Sequence, residues 1–147
     1  MYTPHSVTLY IVTENDDFTQ NIDTTVLEGV FLDSSNGANV NNSGANNANS
    51  ATLYIPFSVK ATDLYGNEKV FVDAKTYRAM QNPAGYWTMD KSGKSSVADC
   101  YFIKGAVYRT MEYREAKEQH EDVYTINRVR TLDFGSKDMQ HWQVSAE

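Results

Sequence analysis

Ala51-Thr52-Leu53-Tyr54-Ile55-Pro56-Phe57-Ser58-Val59-Lys60 is the stretch that decides the fold class. Leu53, Ile55, Phe57 and Val59 fall on every second position. An extended chain turns successive side chains to opposite faces, so this spacing predicts a strand with one face on a core. Pro56 has no N–H to give a neighbouring strand, which predicts a free edge or a bulge at that point.

The chain on the N-terminal side is of a different kind. Ser34-Ser35-Asn36-Gly37-Ala38-Asn39-Val40-Asn41-Asn42-Ser43-Gly44-Ala45-Asn46-Asn47-Ala48-Asn49-Ser50 holds one large apolar residue, Val40. Such a tract cannot bury enough surface to offset the entropy of ordering it, so residues 34–50 are expected to form a long flexible loop. Before it, Thr24-Thr25-Val26-Leu27-Glu28-Gly29-Val30-Phe31-Leu32 reads as a second strand. Gly29 inside that strand suggests a bulge or a close backbone approach. Earlier still, Val7, Leu9 and Ile11 alternate against Ser6, Thr8 and Tyr10, which predicts the first strand, and Glu14-Asn15-Asp16-Asp17 is a polar turn.

On the C-terminal side Leu64-Tyr65-Gly66-Asn67 signals a turn, and Lys69-Val70-Phe71-Val72 a short strand. Asp73 is placed to cap a brief helix over residues 74–80, ended by Pro83 and Gly85. Residues 86–89, 99–107, 123–132 and 139–144 carry further strand signals. Between them, residues 109–121 are charged and mixed, which predicts a surface helix or a charged excursion. The expected fold class is mainly β: one domain spanning 1–147, a small antiparallel β-barrel or sandwich with one or two short helices and a long Asn/Ser/Gly-rich loop.

The 147 residues suffice for one core, with 41% hydrophobic residues to build it. Ten tyrosines suit strands and interfaces, because each ring is apolar while its hydroxyl can stay wet. A formal charge of −6 argues against a grip on nucleic acid through phosphate neutralisation, though DNA could still slide past such a surface. No apolar run approaches the ~20 residues needed to span a bilayer, so no membrane is expected. Met1-Tyr2-Thr3-Pro4-His5 lacks a basic start followed by an apolar stretch, and a cytoplasm is the expected place of assembly. The single cysteine, Cys100, forms no intrachain disulfide and reads as a small buried apolar residue.

Candidate chemistry is thin. Asp16, Asp17 and Asp23 with Asn15 and Asn21 offer oxygen ligands, yet the twelve-residue calcium-loop pattern is missing and a plain acidic turn fits better. His5, His120 and His141 lack the spacing of a zinc site. Gly93-Lys94-Ser95 resembles the end of a phosphate-binding loop, but Thr88 stands where the first glycine belongs. The expectation is no catalytic residue, no metal and no cofactor. The polar tract itself admits three readings: an unordered connection, a segment that pairs with copies of itself, or a tether that orders on another protein. Asn36, Asn39, Val40, Asn41, Asn42, Ser43, Asn46 and Asn47 are the residues it would use, in a channel or between subunits. Being uncharged, identical tracts could converge in a symmetric assembly without repulsion.

Three stretches carry a resemblance: His5-Ser6-Val7-Thr8-Leu9-Tyr10; Leu27-Glu28-Gly29-Val30-Phe31-Leu32-Asp33 with Thr52-Leu53-Tyr54-Ile55-Pro56-Phe57; and Asp133-Phe134-Gly135-Ser136 through Met139-Gln140-His141-Trp142-Gln143-Val144. They are similar to minor structural proteins of tailed phages and prophages from Gram-positive hosts. The order of elements also resembles the head-closure, or stopper, proteins of the phage neck, with the long loop between the second and third strands. That resemblance implies a homohexameric ring in the virion, between the portal-bound adaptor and the tail terminator or tail proteins. It also implies a loop that helps close the DNA channel, with passing contact to packaged DNA. Residues 109–121 depart from the minimal stopper pattern. Two alternatives stay open: a tail-tube or tail-completion protein, and a monomeric binding β-sandwich using Tyr86, Trp87 and Trp142 for stacking.

Overall fold

The structure, a computed structural model, describes residues 2–14, 17–35, 50–92 and 99–147. Among the described residues it holds nine strands: β1 (His5–Glu14), β2 (Gln20–Ser35), β3 (Ser50–Pro56), β4 (Lys60–Thr62), β5 (Val70–Phe71), β6 (Tyr86–Trp87), β7 (Asp99–Lys104), β8 (Val123–Leu132) and β9 (His141–Ala146). Two short helices, α1 (Ala74–Ala79) and α2 (Tyr113–Gln119), and a 3₁₀ turn at Lys137–Met139 complete them. The protein is mainly β, as its alternation predicts.

The large sheet is antiparallel throughout and runs β1-β7-β8-β9-β3-β2-β4, with β1 also paired to β2. The hydrogen-bonded order therefore closes on itself. Two long strands make the closure. The first half of β2 lies between β1 and β4, and its second half pairs β3. β8 likewise pairs β7 at its start and β9 over the rest. Each strand passes from one layer to the other at a bulge, the usual way of turning such a corner. In β2 the partners of His5 and Ser6 are Val30 and Glu28, so Gly29 is the extra residue, at φ +90°. Leu27 and Val30, three apart, thus both face inward. In β8 the skipped residue is Asn127, and Ile126 and Val129 are brought to the same side.

The enclosed core takes Val7, Leu9 and Ile11 from β1, Leu53 and Ile55 from β3, Cys100 and Phe102 from β7, and Trp142 and Val144 from β9. Residues 51–60 do not form one strand. β3 stops at Pro56, Phe57 and Ser58 turn, with the Val59 N–H donating to the Pro56 carbonyl at 3.0 Å, and β4 resumes beside β2 at Lys60. Phe57 and Val59 still pack on the core, which is why the alternation runs unbroken through the interruption.

β1 is buried on both faces, contrary to its polar second row. Thr8 and Tyr10 are fully covered. The cover is a strap, residues 105–112, followed by α2. Gly105, at φ +106°, turns the chain out of β7, and its N–H donates to the Ser6 carbonyl at 2.7 Å. The Thr8 hydroxyl donates to the Gly105 carbonyl and accepts from the Val107 N–H; the Tyr10 hydroxyl donates to the Arg109 carbonyl at 2.7 Å. Met111 and Ala116 then form a second apolar cluster with Tyr10, Val12, Tyr101, Ile103 and Val123. The helix predicted over 109–121 is shorter, Tyr113–Gln119, because the Arg109 and Met111 carbonyls accept from the Tyr10 and Tyr101 hydroxyls instead and Glu112 is extended. α1 follows its prediction: the Asp73 carboxylate accepts from the Thr76 N–H at 2.8 Å.

Candidate assembly surface

The polar tract is shorter than its composition suggests. Ser34 and Ser35 belong to β2, Ser50 belongs to β3, and Ser35 is paired opposite Ser50. Both ends of the remaining stretch, 36–49, are therefore delivered to one hairpin tip on the closed sheet. Asn36, Asn39, Val40, Asn41, Asn42, Ser43, Asn46 and Asn47 lie outside the described residues.

The outward face of β2, β3, β9 and β8 can be read from register. One row runs Arg130–Gln143–Tyr54–Phe31, and the next Arg128–Ser145–Thr52–Asp33. Aromatic rings extend the first row. Phe31 stacks on Tyr54 with centroids 5.7 Å apart and on His5 at 5.7 Å, with Tyr2 tilted against its ring. His141 lies 5.8 Å from Tyr54. Cross-strand aromatic pairs of this kind stabilise a sheet and form a flat, half-exposed platform. Arg128, Arg130, Asp33 and Tyr2 are exposed at its margins. The outward face of β1 and β7, by contrast, is sealed by the strap and α2.

The other candidate residues have structural partners. His5 Nδ1 accepts from the Leu32 N–H at 3.0 Å, His141 Nδ1 lies 2.8 Å from the Met139 carbonyl, and His120 caps the C-terminus of α2. Asp17 accepts from the N–H and hydroxyl of Thr19, bonds that hold its carboxyl below the usual range and mark an ordinary turn. Asp16 lies outside the described residues. Among the described residues no group of three or more His, Cys, Asp or Glu is placed to hold a metal ion. Cys100 is fully buried, and burial pushes its thiol up to about 12, far from the thiolate a nucleophile needs. Trp87 and Trp142 are core residues packed with Phe57 and Phe71, not a stacking surface, and of the three only Tyr86 is exposed.

One buried ionic cluster had no sequence signal. Lys69, its side chain 1% exposed, donates to Asp23 Oδ1 at 2.9 Å, to the Thr24 carbonyl at 3.2 Å and to the Thr25 hydroxyl at 2.9 Å. The Tyr77 hydroxyl donates to Asp23 Oδ2 at 2.7 Å. Burial first, and the Asp23 charge second, raise the Tyr77 phenol and keep it a donor. With all three ammonium hydrogens used, this cluster ties the chain after β4, and α1, to β2. A shallow cleft of about 180 Å³ beside it is lined by Ile22, Asp23, Asp63, Tyr65 and Thr110 among others.

A closed antiparallel sheet with one outward face covered by its own chain and one left as an aromatic platform is the framework these residues define. The chain belongs to a family of unknown function (DUF6751), whose model matches residues 2–147. No curated protein and no solved structure matches it. No helix among the described residues is long and apolar enough to cross a membrane.

Proposed function

We propose that this protein is a non-enzymatic structural subunit of a tailed-phage virion, acting as a head-closure ring in the neck. In this reading six copies assemble in the host cytoplasm between the portal-bound adaptor and the tail, and the 36–49 segments help close the DNA channel. The observation that carries the reading is the pairing of Ser35 with Ser50, which sets both ends of the Asn-rich tract at one tip of a closed β-scaffold. A segment so attached can be lengthened, shortened or ordered by a partner without disturbing the core. The sequence resemblance to stopper proteins, in which the loop holds the same place, adds to this. A net charge of −6 per copy disfavours adhesion to passing DNA, as a conduit requires.

Replacing residues 36–49 by a short glycine turn should leave the melting temperature within a few degrees of wild type, while phage carrying the variant should form filled heads that leak DNA. Thermal denaturation and packaged-genome quantification check the two halves. A shortened protein that no longer folds would put the tract in the core, and normal DNA retention would remove its role in closure.

A further inference from the structure

The outward sides of the two layers differ in charge as well as in cover. The strap and α2 side carries Glu112, Glu115, Glu118 and Glu121 against Arg109, Arg114 and Lys117. Arg109 takes Glu115 at 2.9 Å, and Arg114 reaches Glu118 only at 3.7 Å. Glu112 and Glu121 are exposed with no ion pair among the described residues. The platform side is the reverse. Arg128 and Arg130 are exposed and have no ion pair among the described residues, and Asp33 is the one acid in the two rows beside them. In a chain of net charge −6, two neighbouring unpaired arginines at the edge of an aromatic platform form a surface complementary to the rest of its own molecule.

The geometry points to a second copy of this chain as the occupant of the platform. The acidic α2 side of one copy docks on the Arg128/Arg130 side of the next. The two surfaces are different and face away from each other across the common core, so the contact is heterologous. It propagates head to tail and yields a closed ring where the rotation per step permits. Arginine suits this role, since its planar fork pairs carboxylates bidentately and stacks on aromatic rings. The inference rests on the ring-forming reading above and assigns its two contacting faces.

Charge exchange tests it in the full-length protein. Sedimentation velocity is run up to millimolar concentration on wild type, on Arg128→Glu/Arg130→Glu, on Glu112→Arg/Glu121→Arg, and on an equimolar mixture of the two variants. Each variant alone should weaken self-association by ~30-fold or more, since like charges then face each other across the contact. The mixture should restore it, because each variant then supplies the complement of the other's altered face. Circular dichroism and melting of each variant confirm that the fold is kept. Assembly that survives both exchanges overturns these faces and leaves the ring reading standing. A wild-type chain that stays monomeric both alone and with its connector overturns both. Loss of binding to a labelled single-stranded DNA in the arginine variant, with self-association unchanged, assigns the platform to nucleic acid and overturns a second copy as its occupant.

Discussion

Asp23→Ala should lower stability by ~3–5 kcal/mol, the cost of leaving a buried charge without its counter-ion. The substitution strands the Lys69 ammonium at 1% exposure with two neutral acceptors and removes the acceptor of the Tyr77 hydroxyl. Lys69→Met should cost less, ~1–2 kcal/mol. Methionine fills a similar volume, and Asp23, 25% exposed, can turn its carboxylate to water and keep Tyr77. Asp23→Leu/Lys69→Met should recover much of the loss in Asp23→Ala. Urea denaturation of the three variants gives the order directly. If Lys69→Met proved the most damaging, the cation rather than the carboxylate would be the member of the cluster that holds α1 and β2 together.

Trp142→Ala is the second large effect. Trp142, on β9, has its ring 4.5 Å from Phe57, 4.4 Å from Phe71 and 5.7 Å from Trp87. These belong to the turn after β3, to β5 and to β6, so one side chain joins the β5–β6 excursion to the closed sheet. Truncating a buried tryptophan costs ~3–5 kcal/mol, about 10–15 °C in melting temperature at this chain length. Trp142→Phe should retain more than half of that stability. Near-ultraviolet dichroism should lose most of its aromatic signal in Trp142→Ala while the far-ultraviolet strand signal persists below the new melting point. An unchanged melting temperature would show that the excursion is not integral to the core.

Much of the strand pattern is legible in the sequence because it is local. Val123 to Leu132 forms one strand as its alternation predicts, and the Asp73 cap marks the start of α1. Gly29 signals its bulge because only a positive φ makes a glycine necessary within such a run. What is hidden depends on distant chain. Thr8 and Tyr10 read as a solvent row, and only the strap, nearly a hundred residues later, buries them. Lys69 reads as the start of a strand, while its partners Asp23, Thr24 and Thr25 lie more than forty residues earlier. The interruption after Pro56 keeps Phe57 and Val59 on the core side, so periodicity alone is blind to it. The platform is half legible. Arg128 and Arg130 occupy the polar half of an alternation, but the register that sets them in rows with Tyr54 and Phe31 follows from two bulges and three interstrand pairings.

Electron cryomicroscopy of intact virions that encode this chain tests the central claim most directly. The account predicts a ring of six copies at the neck, between adaptor and tail, with density for 36–49 directed at the channel axis. Particles that lack the chain, or that hold it away from the head–tail junction, would contradict it.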